Sequence, residues 1–266
     1  MSAIEEAVER AKKHRLSIRK GVAGEVSRSA PFFEGGEPEY TQTRVIPLDK
    51  SHVERHRLPA LLGDPEALDA YNLLRTQLLE RTRVKGHNVI MITSVLEGEG
   101  KTLTAINLAA SIARGAKQTV LLVDTDLRKP RAQYYLGLNA VKGLSDYLRE
   151  NVPLTQLLIN PGLPRLVVLF AGKPLSGSTD ILGSPRMERL VKEIKRRYPE
   201  RYVIFDCPPI LASPDALVFS SYVDGVILVV ESGRTPQEKI RKAVGLLEGK
   251  NLVGLVMNKG DEVRRR

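Results

Sequence analysis

Six short apolar runs constrain this chain more than any other feature: residues 88–94, 119–124, 165–170, 202–206, 225–231 and 252–257. They are rich in Val, Ile and Leu and lack alternation with polar residues, the pattern of strands buried on both faces of a sheet. Helical segments separate them. The spacing predicts helices over 65–82, 101–114 and from 184 to about 198, with further helices opening at Ser213-Pro214-Asp215 and Thr235-Pro236-Gln237-Glu238. Capping chemistry marks the starts. Asp64-Pro65-Glu66 offers a cap, a proline at the first turn and an acid, and Thr235 to Glu238 fits a capping box. Strand–helix alternation of this kind predicts an α/β fold, a mostly parallel sheet with helices on both faces.

The first sixty residues read differently. Residues 2–20 fit a charged helix, and 21–40 carry Gly24, Pro31, Gly35, Gly36 and Pro38 without apolar periodicity. The expected organisation is a flexible basic arm over 1–57 and one compact domain over 58–266. Across 266 residues, 41 Lys and Arg stand against 31 Asp and Glu, a net charge of +10 that favours acidic company. Aromatic residues make up only 5%, with no tryptophan, so stacking platforms for single-stranded nucleic acid are scarce and nucleic acid is not an expected partner. The single cysteine, Cys207, excludes an internal disulfide framework and a multi-cysteine zinc site. Neither a bilayer-crossing apolar run nor a secretory signal is present, which makes a cytoplasmic location the expectation.

Three motifs carry chemistry. Gly98-Glu99-Gly100-Lys101-Thr102 follows a predicted strand and opens a predicted helix. Such glycines let backbone N–H groups turn around phosphate oxygens, and the helix start adds positive potential. Lys101 is expected to reach the β- and γ-phosphates of ATP or ADP, and Thr102 to ligate Mg²⁺. Val95 stands where the full consensus has glycine. Next, the run ending Asp124-Thr125-Asp126-Leu127-Arg128 places two carboxylates at the carboxyl end of a strand, where ligands of open sheets collect. Asp124 and Asp126 are candidates for magnesium and proton transfer, with capping of the next turn as the rival role for Asp126. The third strand ends Asp206-Cys207-Pro208-Pro209, and Asp206 is the second candidate magnesium carboxylate. Asn258, after the last strand, can offer its amide to an adenine edge.

Motifs of these three kinds in this order resemble the bacterial tyrosine kinases of the capsule and exopolysaccharide type, over roughly residues 58–259. That family shares its P-loop NTPase fold with division-site and partition ATPases. Within it, Met1-Ser2-Ala3-Ile4-Glu5 and Thr43-Arg44-Val45-Ile46-Pro47-Leu48-Asp49 are most similar to stand-alone autokinases of exopolysaccharide loci that accompany an exosortase. The resemblance implies Lys101 and Thr102 in the phosphate loop, and Asp124, Asp126 and Asp206 in the acidic motifs. It implies transfer of the γ-phosphoryl group of Mg²⁺-ATP to tyrosine, with Lys101, Asp124 and Asp126 catalytic and Asp124 as base. Gly98, Glu99, Gly100, Lys101, Thr102 and Asn258 bind the nucleotide, and Thr102, Asp124 and Asp206 hold the metal. It also implies a membrane polysaccharide co-polymerase (a chain-length determinant protein) as partner, a place beside the inner membrane through that partner, and a tyrosine-containing acceptor in trans.

Leu96 occupies the position of the extra lysine of partition ATPases, which separates the kinase expectation from a partition-type ATPase switch. The last tyrosine of this sequence is Tyr222, so the family's terminal tyrosine cluster is expected to have been either removed or never present. That keeps a nucleotide-binding regulatory partner as a second alternative, and leaves Tyr134 or Tyr135 as substitute acceptors. The ring-building pattern Glu-x-x-Arg-x-x-Arg is degraded to Asp69, Asn72 and Arg75, so a homo-oligomer is expected to fall short of a ring.

Overall fold

All six predicted runs form strands, and they lie side by side because each has two apolar faces to cover. The computed structural model describes residues 43–63, 65–115, 118–138, 142–197 and 200–260. The expected charged helix over 2–20, the segment 21–40 and the Asp64 cap fall outside them. In chain order the elements are β1 (Arg44–Val45), α1 (Lys50–Arg55), α2 (Pro59–Leu62), α3 (Pro65–Thr82), β2 (Val89–Ser94) and α4 (Lys101–Arg114). Then come β3 (Val120–Asp124), α5 (Ala132–Leu136), α6 (Leu144–Glu150), β4 (Leu158–Asn160), β5 (Leu166–Leu169), α7 (Ser178–Leu182) and α8 (Pro185–Arg197). The chain continues through β6 (Tyr202–Asp206), α9 (Asp215–Phe219), β7 (Gly225–Glu231), α10 (Gln237–Leu246) and β8 (Leu252–Asn258).

The sheet runs β1-β4-β5-β3-β6-β2-β7-β8 and is parallel except between β4 and β5. Alternate residues of the central strands feed two separate cores. Met91, Leu121, Val123 and Phe205 pack on one face with Leu144, Met187, Leu190, Phe219 and Ala243 from α6, α8, α9 and α10. Ile90, Ile92, Leu122 and Ile204 pack on the other with Ile106, Leu108, Ala109 and Ile112 of α4. Both faces are thus covered, as the lack of polar alternation required. β1 and β4 escape sequence reading because strands of two and three residues carry no periodicity of their own.

Described residues before Leu58 also pack onto the sheet. Val53 of α1 is 1% exposed, Arg44 and Val45 pair with Ile159 and Asn160, and the Ile46 N–H donates to the Asn160 carbonyl at 2.8 Å. Asn107 of α4 ties this segment down, accepting from the Ala60 N–H at 3.1 Å and donating to the Arg57 carbonyl at 3.2 Å. Two of the three degraded ring positions also point inward, while Asp69 is exposed. Asn72 accepts from the Ser111 hydroxyl at 2.9 Å, and Arg75 donates to the Ser111 carbonyl at 2.7 Å, so both brace α3 against α4.

The start of α10 departs from the expected capping box. Its N-cap is Pro236, with no side-chain cap. The Thr235 hydroxyl instead accepts from the Glu231 N–H at 2.8 Å and donates to Glu99 at 2.5 Å.

Candidate active site

Parallel strands end together, so β2, β3, β6 and β8 bring their carboxyl-terminal residues to one edge. The loop from Val95 to Gly100 leaves β2 there and enters α4. Gly98 and Gly100 have φ of +82° and +94°, backbone that side chains resist. At Gly100 there is a second constraint, because a Cβ would lie 2.1 Å from Asn258 Nδ2. Glu99 is only 2% exposed and serves the loop from inside, accepting from the Leu96 N–H at 2.7 Å and from Thr235. Asn258 donates one of its two amide N–H groups to the Glu99 carbonyl at 2.8 Å, so the side chain is tied to the loop. Lys259 donates to the Gly98 carbonyl at 2.7 Å and pairs with Glu231 at 3.0 Å.

Beyond the loop lie the acids. Strands β3 and β6 pair in register with Asp124 opposite Asp206, which places two carboxylates side by side. The Lys101 ammonium stands 2.9 Å from Asp126 and 3.6 Å from Asp206. Burial alone would lower the Lys101 pKa, but the charges of Asp206 and Asp126 outweigh it and hold the ammonium above its usual range. Burial, with the neighbouring Asp206 charge, pushes Asp124 up to about 8.

The three aspartates differ in what they have left to offer. Asp124 is fully buried and accepts from the backbone N–H groups of Asp126, Arg131 and Ala132 at 3.0, 3.3 and 3.1 Å. It therefore holds the loop and the start of α5. Asp126 uses one oxygen to accept from the Lys129 N–H at 3.0 Å, the turn-capping role, and the other to meet Lys101. It lines the cleft. Asp206 is 0% exposed, and neither carboxylate oxygen has a hydrogen-bond partner. Burial pushes its pKa up, against the pull of Lys101. Two bare oxygens beside a buried Thr102 hydroxyl are the chemistry of a hard-cation site, and the residues present fit Mg²⁺.

The cleft has a volume of about 790 Å³ and is lined by the phosphate loop, Asp126, Arg128, Tyr135 and the Pro208-Pro209 turn, among others. A smaller cleft of about 300 Å³ adjoins it, sharing Glu97, Gly98 and Lys259 and reaching Arg234 and Thr235. Cys207 is buried against the Thr125 hydroxyl, and burial raises its thiol pKa well above the usual value, so it packs rather than reacts. Sequence reading missed Glu99's structural use, Thr235 and Asp215. Glu99 and Thr235 meet across 136 residues, a separation that leaves no local pattern. Tyr135 lines the cleft, whereas Tyr134 is 55% exposed on the same short helix. Among the described residues no helix is long and apolar enough to cross a membrane.

Comparison with known proteins adds an independent line. A family model described as an AAA domain matches residues 87–240. The tyrosine-protein kinase CpsD of Streptococcus agalactiae is 33% identical over 195 residues, covering 72% of this chain and 83% of that protein. The tyrosine-protein kinase YwqD of Bacillus subtilis is 35% identical over 201 residues, 74% of this chain and 84% of its own. Among solved structures, the kinase domain of the Escherichia coli tyrosine kinase ETK matches with a TM-score of 0.72 at 27% identity, over 84% of this chain and 91% of that one.

Proposed function

The chain belongs to the bacterial protein-tyrosine kinases of the capsule and exopolysaccharide type, and from that membership we infer that its cleft moves the γ-phosphoryl group of ATP to a tyrosine hydroxyl. It is an ATP-dependent protein-tyrosine kinase of exopolysaccharide biosynthesis with a P-loop fold. The observation that carries our assignment of the site is the convergence of Lys101, Asp126 and the bare carboxylate of Asp206 at the phosphate loop.

Gly98 to Thr102 receive the β- and γ-phosphates on backbone N–H groups at the start of α4, where the helix dipole favours negative charge. Lys101 turns from Asp126 to those phosphates, since both are anions within its reach. Asp126 is then free to accept the phenolic proton as the tyrosine oxygen bonds to the γ-phosphorus and the bond to the ADP oxygen breaks. Asp126 takes the base role in place of Asp124, because the Asp124 oxygens are engaged by three backbone donors. Thr102 and Asp206 would hold Mg²⁺, with Asp124 behind them, and the ion supplies charge neutralisation on the phosphates. The nucleoside reaches toward the smaller cleft at Arg234 and Thr235, with Asn258 fixing the loop beneath it. The family resemblance supports a membrane polysaccharide co-polymerase as partner, which would hold the kinase beside the inner membrane.

Incubation with ATP labelled in the γ-phosphate and an added tyrosine-rich peptide tests the reading. Label on peptide tyrosine is expected. Release of free phosphate with no phosphotyrosine anywhere would leave an ATPase switch and overturn it.

A further inference from the structure

One buried carboxylate has no part in the mechanism above. Asp215 opens α9, is 0% exposed, and collects donors from three residues on two separate segments. Arg128 meets it with both arms of its fork, Nε to Oδ2 at 3.1 Å and Nη2 to Oδ1 at 3.2 Å. Ser178 of α7 donates to Oδ2 at 2.6 Å, and Thr179 donates to Oδ1 while accepting from Arg128 at 3.2 Å. The Leu175 N–H donates to the Leu127 carbonyl at 2.8 Å beside them, so the loop after β3 is fixed at two points. Burial by itself would raise the Asp215 pKa, but the hydrogen bonds from Arg128, Ser178 and Thr179 outweigh it and hold the group ionised.

Burying a charge with this many donors is a poor way to gain stability, because apolar packing of similar volume does as well or better. What it does achieve is a guanidinium with one orientation. The Arg128 side chain stays 46% exposed and lines the same cleft as Lys101 and Asp126, and its Nη1 makes no hydrogen bond among the described residues. The neighbouring cations lack such an anchor. Lys129 pairs with Glu97 where both are more than half exposed, a weak and screened contact, and the exposed Arg131 side chain has no ion pair among the described residues.

We propose that Arg128 contacts the phosphoryl group in flight and that Asp215, with Ser178 and Thr179, is its positioning residue. The inference rests on the kinase reading. As the tyrosine–phosphorus bond forms and the bond to ADP breaks, negative charge spreads over the equatorial and leaving oxygens. A planar guanidinium already held in place stabilises that charge without reorganising, which a lysine on a free stem does not.

The test uses the full chain and two readouts, calorimetric Mg²⁺-ADP binding and single-turnover transfer from labelled ATP to a tyrosine-rich peptide. Arg128→Ala is expected to leave ADP affinity within about threefold and to slow transfer by about 1,000-fold or more, the range of arginines that act in transfer. Millimolar methylguanidinium should restore part of the Arg128→Ala rate, and Arg128→Lys should lose nearly as much as alanine. Asp215→Asn should slow transfer by about tenfold, and Arg128→Ala/Asp215→Asn should be no slower than Arg128→Ala, as expected of residues acting through one group. If Asp215→Asn does not fold, Ser178→Ala and Thr179→Ala replace it, each expected to slow transfer with ADP affinity intact. Unchanged transfer in Arg128→Ala, or equal losses in ADP affinity and transfer, would overturn the proposal. Asp215, Ser178 and Thr179 variants that melt earlier yet transfer normally would overturn the positioning role. Wild-type protein that labels no tyrosine overturns the kinase reading and this one together, whereas wild-type transfer that survives Arg128→Ala overturns this one alone.

Discussion

A carboxylate that is buried with both oxygens unbonded costs stability, and Asp206 is such a group. Asp206→Asn removes that charge, so the ligand-free protein should melt later, by the equivalent of about 1–3 kcal/mol. The same change should abolish the tightening of ADP by Mg²⁺. Later melting together with full magnesium dependence would show that the metal sits elsewhere. Lys101→Met should do the opposite, lowering ligand-free stability and removing the thermal gain from Mg²⁺-ADP, which is about 2.7 kcal/mol at a hundredfold excess over Kd. Asp124 contributes to the pH dependence, and burial raises Asp206 in the same direction. The Asp124 carboxyl rises from 3.8 to about 8 on folding, so the native state retains a proton that the unfolded chain has lost. Its contribution is complete below pH 4 and disappears as pH climbs toward 8. Metal-free, ligand-free protein should therefore melt earlier at pH 8 than at pH 6, and Asp124→Asn should reduce that difference. These residues were legible in the sequence because each motif is contiguous: a strand end supplies the acid, and a helix start supplies the lysine. Asp215 was not, because its meaning depends on Arg128, 87 residues away.

Among elements, the six apolar strands and the long helices were legible, and most of the short ones, α9 excepted, were not. The run at 101–114 repeats its apolar residues often enough to declare a helix, and α4 has the bounds Lys101–Arg114. Helices α1, α2, α5 and α7 have four to six residues, too few to show a period or to hold together without neighbours. They exist because tertiary contacts fix them, and Asn107 is the clearest case. This fully buried side chain on α4 satisfies the Ala60 N–H and the Arg57 carbonyl on either side of the start of α2. Asn107→Ala leaves the Ala60 N–H buried without a partner and takes the donor from the more exposed Arg57 carbonyl, and a loss of about 1–3 kcal/mol is expected in urea unfolding. Asn107→Leu should do no better, since filling the space does not replace the hydrogen bonds. A loss under about 0.5 kcal/mol, the range of ordinary surface changes, would mean that α1 and α2 are not held through this contact.

For the whole molecule, the open question is where the catalytic domain begins, and the path from its first elements to the site gives an answer. Residues 43–57 offer only the short stretch Val45-Ile46-Pro47-Leu48 as an apolar signal, yet Val53 is buried and β1 extends the sheet beside β4. From α1, His52 hydrogen-bonds the Tyr134 carbonyl at 2.9 Å, and its ring lies against Gly137, where a Cβ would come within 2.8 Å. Tyr134 and Gly137 belong to α5 and its cap, and the first turn of α5 is what Asp124 holds. Residues 43–57 thus support the helix that the buried acid organises. Two shortened chains, one starting at Thr43 and the other at Leu58, measure this support directly. The Leu58 chain loses the burial of Val53, the β1 ladder and the His52 contact, worth about 3 kcal/mol together. For a domain of this size that is a fall in Tm of about 6–12 °C relative to the Thr43 chain. Because α5 loosens with it, Mg²⁺-ADP affinity should fall as well, and Leu58 chains carrying Asp124→Asn should bind no worse than Leu58 chains alone. Equal melting and equal ADP affinity in the two shortened chains would put the boundary at Leu58 and detach α1 from the site.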